Sequence, residues 1–310
     1  MSGGALEVPE AVRRKAIARG PEGRRWLDRL GRLIGELEQD WGVAVGPALP
    51  GGSESYVAAA RTDSGVDAAI KLEMPPYASF ASEVRTLVAA DGRGYVRLLD
   101  HDEERKAMLQ ERLGPSLRGF GLPIPVQIEI LCATLKRAWD VPVPAGLPSG
   151  AEKARWLSEF IAGMWEEVNR PCSRRVVEQA LAFAKIREAA FDPETAVLVH
   201  GDAHSANALQ DPGQAPTRFK FVDPDGLVAE PAYDLAIPMR EWSRELLDGD
   251  AARLGRERCA YLSRLTGVDH RGIWEWGFVE RVSTGLLAIQ VGADEMGKGM
   301  LEVAEAFATA

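Results

Sequence analysis

The sequence has few of the residues that mark several common protein classes. It contains three cysteines, Cys132, Cys172 and Cys259, which lie far apart and in no metal-ligand spacing. We therefore expect reduced thiols that pack as small, buried hydrophobic groups in a cytoplasmic protein. The net charge is −9 and no run of lysine or arginine stands out, which argues against a nucleic-acid-binding protein.

Long apolar segments are missing as well. No stretch approaches the ~20 uninterrupted apolar residues of a membrane helix. The first fifteen residues carry charges where a secretory signal would be apolar. We therefore expect a soluble monomer or homodimer with no membrane or nucleic-acid partner. The negative net charge of the chain is compatible with a cationic small molecule as ligand.

Hydrophobic periodicity divides the chain into two parts. Residues 22–42 predict an amphipathic helix, and the segment that follows predicts mainly antiparallel strands. From about residue 123 the pattern predicts helices, with short strands at 196–199, 206–210 and 218–223. The expected fold class is α+β. A small β-rich N-lobe would span residues 1–115, and a larger, mainly helical C-lobe would span residues 116–310.

Two segments in the second part suggest a chemistry. The stretch LVHGDAHSANAL places Asp202 and Asn207 five residues apart, which is the spacing of the catalytic loop of protein kinases. On such a loop the aspartate faces the acceptor hydroxyl and the asparagine reaches Mg²⁺. The stretch FKFVDPDG then offers Asp223 as an oxygen ligand for Mg²⁺, with Asp225 as a second ligand or a holder of water.

The same kinase template predicts a set of nucleotide-binding residues upstream. A lysine on an apolar strand and a glutamate on the next helix correspond to Lys71 and Glu83. A Gly-rich turn and the strand that leads to the lobe connection supply the other candidates, which are Gly51, Gly52, Ser53, Ser55, the Glu111 carbonyl and the Leu113 amide. Each feature alone is weak, but their order along the chain favours a nucleotide-dependent kinase.

These motifs resemble a known family. The segments LVHGDAHSANAL and FVDPDGLVAEPAYDLA resemble the aminoglycoside phosphotransferases, which are small-molecule relatives of protein kinases. The resemblance extends over residues 22–307 and is strongest to the branch that contains streptomycin 6-kinases and hydroxyurea kinases. It implies a two-lobed protein-kinase-like fold and a protein that uses ATP or GTP with Mg²⁺.

The resemblance also implies individual roles. It makes Asp202 the catalytic base, Asn207 and Asp223 the magnesium ligands, and Lys71 a phosphate contact that Glu83 holds in place. Two positions depart from the branch. Asp225 stands where a lysine is expected, and Ala203 stands where a bulkier residue, often leucine, is expected.

The expected acceptor is a hydroxyl-bearing small molecule bound by the C-terminal helices. The candidate contacts there are Glu241, Glu245, Trp274, Glu275 and Glu280. Carboxylates attract cations, so a streptomycin-like antibiotic is the leading interpretation. The same helices carry four more carboxylates and four interleaved arginines, which are Asp248, Asp250, Asp294, Glu295, Arg240, Arg244, Arg271 and Arg281. We expect most of these charges to form a solvated helix face or pairs within a helix. A convergent carboxylate cluster would favour a polycation, and a paired network would argue against one.

Three alternatives stay open. The first is a metabolic kinase of the same fold that acts on an amino alcohol, a sugar or another natural product. The second is a metal-dependent hydrolase that uses His200, Asp202 and His204 with Asp223 as ligands, although the chain has only four histidines. The third is a nucleotide-binding protein without catalysis.

Overall fold

The computed structural model describes residues 6–52, 54–77 and 79–309, which divide into two compact units between Gly114 and Pro115. Within this part of the chain, no helix combines the length and the hydropathy that crossing a membrane requires.

The described residues of the first unit form three helices and one five-stranded sheet. Its elements are α1 (Glu10–Ala18), α2 (Gly20–Trp41), β1 (Val43–Ala48), β2 (Ser55–Thr62), β3 (Asp67–Glu73), α3 (Phe80–Ala90), β4 (Leu98–Asp102) and β5 (Ala107–Glu111). The sheet has the order β1-β2-β3-β5-β4, and every neighbouring pair is antiparallel. The helix predicted at 22–42 and the strands that follow it are confirmed.

The core of this unit forms where α2 meets the sheet. The apolar stripe of α2 recurs every three to four residues, so Trp26, Leu30 and Leu37 lie on one face and are buried. Tyr56 from β2 and Ile70 from β3 belong to the same buried cluster. The burial pattern of β3, in which six consecutive residues are buried, indicates that this strand is covered on both faces.

The second unit is mainly helical. After a short 3-10 helix (Leu117–Phe120), its elements are α4 (Ile124–Trp139), α5 (Gly150–Glu167), α6 (Arg174–Ala189), β6 (Val197–Val199), β7 (Ala208–Gln210), β8 (Phe219–Phe221), β9 (Leu227–Ala229), α7 (Ala232–Arg240), α8 (Ser243–Leu247), α9 (Ala251–Thr266), α10 (His270–Gln290) and α11 (Asp294–Ala308). The predicted helices and short strands are confirmed. Strand β9 was not predicted.

The short strands form two antiparallel ladders, β6 with β9 and β7 with β8. Two connections leave these ladders, residues 200–207 after β6 and residues 222–226 after β8. The first connection is anchored by Asp234 in the first turn of α7. Its carboxylate accepts hydrogen bonds from the backbone N–H groups of His200 at 3.0 Å and Gly201 at 2.9 Å, and from Trp139 Nε1 at 2.9 Å.

The cysteines are all free thiols. Cys132 and Cys259 are buried as expected, and burial raises the pKa of each to about 12. Cys172 is only half-buried, which differs from the sequence prediction because it lies in the connection between α5 and α6 rather than inside a helix.

Gly23 provides a test of helix packing in the first unit. A Cβ at this position would lie 2.0 Å from the backbone oxygen of Ala16 in α1, whereas a Cβ at Gly31 of the same helix would meet nothing within 4 Å. We expect Gly23→Ala to destabilise the protein by about 1–3 kcal/mol through overpacking. Gly31→Ala should stabilise it by about 0.5–1 kcal/mol, because alanine is the better helix former. Urea unfolding measures both, and equal midpoints for the two variants would contradict this packing.

Asp234 provides a second test, in the other unit. Asn has one acceptor oxygen where Asp has two, so Asp234→Asn leaves at least one buried N–H of residues 200–201 without a partner. We expect a loss of about 1–3 kcal/mol in the free energy of unfolding. The exposed Asp192, whose carboxylate accepts a hydrogen bond from Glu194 N at 3.0 Å, is the control. Asp192→Asn should change stability by no more than about 0.5 kcal/mol. If both variants unfold at the same urea concentration, Asp234 does not anchor the connection.

Candidate active site

The connection after β6 brings the predicted catalytic residues together. Asn207 Nδ2 donates a hydrogen bond to the Asp202 carbonyl at 3.1 Å, and the N–H of Asn207 donates to His204 O at 3.0 Å. These bonds close residues 202–207 into a compact loop, which we call the catalytic loop. Gly201 precedes it with φ 91°, a conformation that favours glycine, and a Cβ there would lie 2.7 Å from Asp225 Cβ.

The two histidines of this segment, His200 and His204, form hydrogen bonds to nearby backbone groups. His200 is fully buried, its Nε2 lies 2.9 Å from Val222 O, and its Nδ1 accepts a hydrogen bond from the Asp202 N–H at 3.0 Å. Burial lowers the pKa of His200, which favours the neutral ring. His204 Nδ1 accepts from the Ala206 N–H at 3.2 Å, and its Nε2 lies 3.3 Å from Asp202 Oδ2.

Asp202 has a charged partner that the sequence analysis did not identify. Arg240, the last residue of α7, places Nη2 2.5 Å from Asp202 Oδ1. Burial by itself would raise the pKa of Asp202, but the hydrogen bond with His204 and the positive charge of Arg240 outweigh burial and lower it. The carboxylate is therefore ionised at neutral pH, and its side chain is 35% exposed.

The second connection lies beside the first. Ala208 at the start of β7 pairs with Phe221 at the end of β8, and the Val222 N–H donates to Asn207 O at 2.9 Å. This ladder places Asp223 near Asn207. Asp223 is exposed and has φ 56°, a conformation that non-glycine residues adopt mainly where the surrounding structure imposes it.

Asp225 is tied to the first connection through its backbone. Its N–H donates to His200 O at 2.8 Å, and Lys153 Nζ from α5 lies 3.8 Å from its Oδ2. Burial raises the pKa of Asp225, the charge of Lys153 opposes this rise, and the carboxylates of Asp202 and Glu280 add to it. Lys153 is a second partner that the sequence analysis missed, because it lies 72 positions before Asp225 in the chain.

The donor set fits a hard divalent cation. The amide oxygen of Asn207 and the exposed carboxylate of Asp223 are oxygen ligands of the kind that Mg²⁺ prefers. Among the described residues, no three His, Cys, Asp or Glu side chains cluster as a metal site. His200 uses both ring nitrogens in hydrogen bonds to backbone groups, so it is not available as a metal ligand. The metal-dependent hydrolase therefore has no support in this geometry.

The first unit contains the predicted nucleotide-binding residues. Lys71 Nζ lies 2.7 Å from both carboxylate oxygens of Glu83, and the two side chains are only 8% and 4% exposed. Gly51 and Gly52 have positive φ values of 115° and 61°, and a Cβ at either position would meet nothing within 4 Å. Ser55 begins β2 and is buried.

Two of the remaining nucleotide-binding candidates, Glu111 and Leu113, lie at the end of β5 and just after it. Glu111 ends this strand opposite Ala68 of β3, and its side chain accepts a hydrogen bond from the Arg97 N–H at 2.7 Å. Leu113 follows it and is buried. Ser53 lies outside the described residues. The nucleotide contacts of all these residues stay predictions.

The predicted acceptor carboxylates are all paired with arginine. Glu241 lies 3.3 Å from Arg118, Glu245 contacts Arg258, Glu275 lies 2.7 Å from Arg187 and 3.0 Å from Arg271, and Glu280 lies 2.7 Å from Arg240. Only the pair of Arg271 with Glu275 lies within one helix. For Glu241, Glu245 and Glu280, pairing between elements differs from the expected solvated face or pairs within a helix, because burial of a partner favours such pairing. The expectation is met by Asp248, Asp250, Asp294 and Glu295, which are exposed.

Trp274 lies in a different environment from these carboxylates. Its ring stacks on Phe307 with 4.6 Å between centroids. Together with Phe183 and Cys259, both residues line a cavity of 460 Å³ between α6, α9, α10 and α11.

Comparison with known proteins assigns the chain to a family. The sequence-family model described as aminoglycoside/hydroxyurea antibiotic resistance kinase matches residues 40–292 of the chain. The chain is 30% identical to the streptomycin 6-kinase of Streptomyces griseus over 98% of this chain and 97% of that protein. It is 29% identical to the hydroxyurea phosphotransferase of Kitasatospora aureofaciens, over 98% and 86%.

The fold agrees with this assignment. The choline kinase LicA from Streptococcus pneumoniae superposes with a TM-score of 0.61 at 15% identity, over 91% of this chain and 100% of that one. The chain thus has the protein-kinase-like α+β fold of small-molecule kinases. It is a phosphotransferase with a hydroxyl acceptor, and it belongs to the aminoglycoside/hydroxyurea antibiotic resistance kinase family.

Proposed function

We propose that the protein transfers the γ-phosphoryl group of ATP, with Mg²⁺, to a hydroxyl group of a streptomycin-like antibiotic. The observation that carries the proposal is the arrangement of Asp202, Asn207 and Asp223 on two adjoining connections of one unit. The similarity to streptomycin 6-kinases along almost the whole chain supports the acceptor class.

In this proposal Asp202 orients the acceptor hydroxyl and takes its proton. Its lowered pKa makes it a weak base, so the proton moves late, as the hydroxyl oxygen acquires the phosphoryl group. Asn207 and Asp223 hold the divalent cation, which neutralises charge on the phosphates when bound. In the other unit Lys71, oriented by Glu83, contacts the phosphates, and the open turn at Gly51 and Gly52 offers backbone N–H groups to them.

One observation favours a second kind of acceptor. The four carboxylates predicted to contact the acceptor, Glu241, Glu245, Glu275 and Glu280, are paired with arginines, so they offer little uncompensated negative charge to a polycation. An uncharged acceptor such as hydroxyurea, on which a similar protein acts according to its name, is compatible with that balance.

Asp202→Asn tests the assignment of the base. The amide keeps the shape but accepts no proton, so we expect kcat to fall by about 10²–10⁴-fold. Nucleotide binding, measured by calorimetry, should stay nearly unchanged. Asp211→Asn is the matched control, because Asp211 lies on the β7–β8 hairpin and pairs with Lys220 at 3.8 Å. Turnover by Asp202→Asn at the rate of this control would remove Asp202 from the reaction.

An acceptor screen tests the substrate class. The purified protein is incubated with Mg-ATP and streptomycin, other aminoglycosides, hydroxyurea, amino alcohols or amino sugars, and products are identified by mass spectrometry. We expect one added phosphoryl group on streptomycin. Phosphorylation of hydroxyurea alone would select the uncharged acceptor. A product only from a sugar or an amino alcohol would retain the kinase mechanism and contradict the antibiotic acceptor.

A further inference from the structure

A continuous chain of hydrogen bonds extends from Asp202 into the interior of the second unit. Arg240 Nη2 lies 2.5 Å from Asp202 Oδ1, and Arg240 Nη1 lies 2.7 Å from Glu280 Oε2. The hydroxyl group of Tyr233 donates to the other oxygen of Glu280, Oε1, at 2.7 Å. The guanidinium of Arg240 therefore bridges a carboxylate at the surface and a carboxylate in the core.

Two helices build this chain. Tyr233 and Arg240 are seven residues apart on α7, which is close to two helical turns, so they lie on the same face of the helix. Glu280 lies in the middle of α10 and faces them. Exposure decreases along the chain, from 35% for the side chain of Asp202 to 13% for Arg240 and 5% for Glu280. Tyr233 is fully buried.

These contacts restrain both oxygens of Asp202. Charge-assisted hydrogen bonds are short and strong, and the planar guanidinium group holds its partners in a fixed geometry. Arg240 binds Oδ1, and His204 Nε2 lies 3.3 Å from Oδ2 on the other side. The exposed carboxylate is thus fixed from the buried side by an arginine that is itself fixed by Glu280 and Tyr233.

We propose that Arg240 is a positioning residue for phosphoryl transfer, which holds Asp202 in the orientation needed to contact the acceptor hydroxyl. Glu280 and Tyr233 act one step further away by fixing Arg240. The inference rests on the proposed role of Asp202 as the base. It also assigns Glu280 a role different from the acceptor contact that the sequence predicted, because both of its oxygens are used inside the protein.

Arg240→Ala tests the proposal by its effect on kcat and KM. Without the guanidinium, Asp202 is free to rotate, and we expect kcat to fall about 100-fold, the loss expected of a 1 Å misplacement. The KM values for nucleotide and acceptor should stay nearly unchanged, because Arg240 binds neither. Added guanidinium ion at millimolar concentration should fill the vacated space and restore part of kcat in a saturable way.

Arg258→Ala is the matched control. Arg258 is also a buried arginine paired with a glutamate, but its partner is Glu245, and it also donates to the Glu241 carbonyl. A general effect of removing a buried arginine would appear in both variants, whereas rescue by guanidinium ion should appear only in Arg240→Ala. A kcat of Arg240→Ala within about twofold of wild type, where the free-energy difference is below 1 kcal/mol, would overturn the proposal. A raised acceptor KM with unchanged kcat would overturn it as well, by making Arg240 an acceptor contact.

Two milder variants decide the matter even if Arg240→Ala does not fold. Arg240→Lys keeps the charge but cannot bridge both carboxylates with the same geometry, so it should show a reduced kcat with normal KM values. Glu280→Gln should lower kcat by a smaller factor, and its effect should be lost in the presence of Arg240→Lys, because the two residues act through one contact. Full activity in both variants, or independent and additive effects, would overturn the proposal.

Asp202→Asn separates this inference from the proposed function. If Asp202→Asn is inactive and the Arg240 variants are fully active, the positioning role alone is wrong. If Asp202→Asn remains active, the assignment of the base is wrong, and the role of Arg240 fails with it.

Discussion

The conformation of the catalytic loop depends on contacts with both ends of helix α7. At the first turn of α7, the buried carboxylate of Asp234 accepts hydrogen bonds from the backbone N–H groups of His200 and Gly201. At the last residue, Arg240 binds the side chain of Asp202. Buried N–H groups without acceptors are costly, and a carboxylate that accepts several of them fixes the path of the backbone. One helix therefore sets both where the loop begins and where its carboxylate points.

This attachment has an electrostatic consequence for the second unit. Asp202, Arg240 and Glu280 form an alternating series of charges, and Lys153 lies beside Asp225. Buried ion pairs add little to stability, because desolvation offsets their attraction, but they impose a specific arrangement on their partners. The charges around Asp202 are therefore largely compensated within the protein.

In the first unit, a buried ion pair likewise orients a charged side chain, that of Lys71. Lys71 is held by both oxygens of Glu83, and the strand that carries it is almost entirely buried. A long, flexible side chain loses most of its rotational freedom in such a pair, so that loss does not accompany ligand binding. In each unit, a buried ion pair therefore orients a charged group that the proposed reaction uses, and the charge is in place before any ligand arrives.

The sequence by itself indicated the family, through the resemblance of its motifs to the aminoglycoside phosphotransferases. It also predicted most of the elements and the loop that carries Asp202 and Asn207, because these follow from local periodicity and from fixed spacings along the chain. It did not identify strand β9, the contact of Arg240 with Asp202 or the contact of Lys153 with Asp225. The pairing of Glu241, Glu245 and Glu280 with arginines of other elements was not predicted either. Which carboxylate meets which arginine depends on how helices from distant parts of the chain pack, and spacing within a single helix carries no information about that packing.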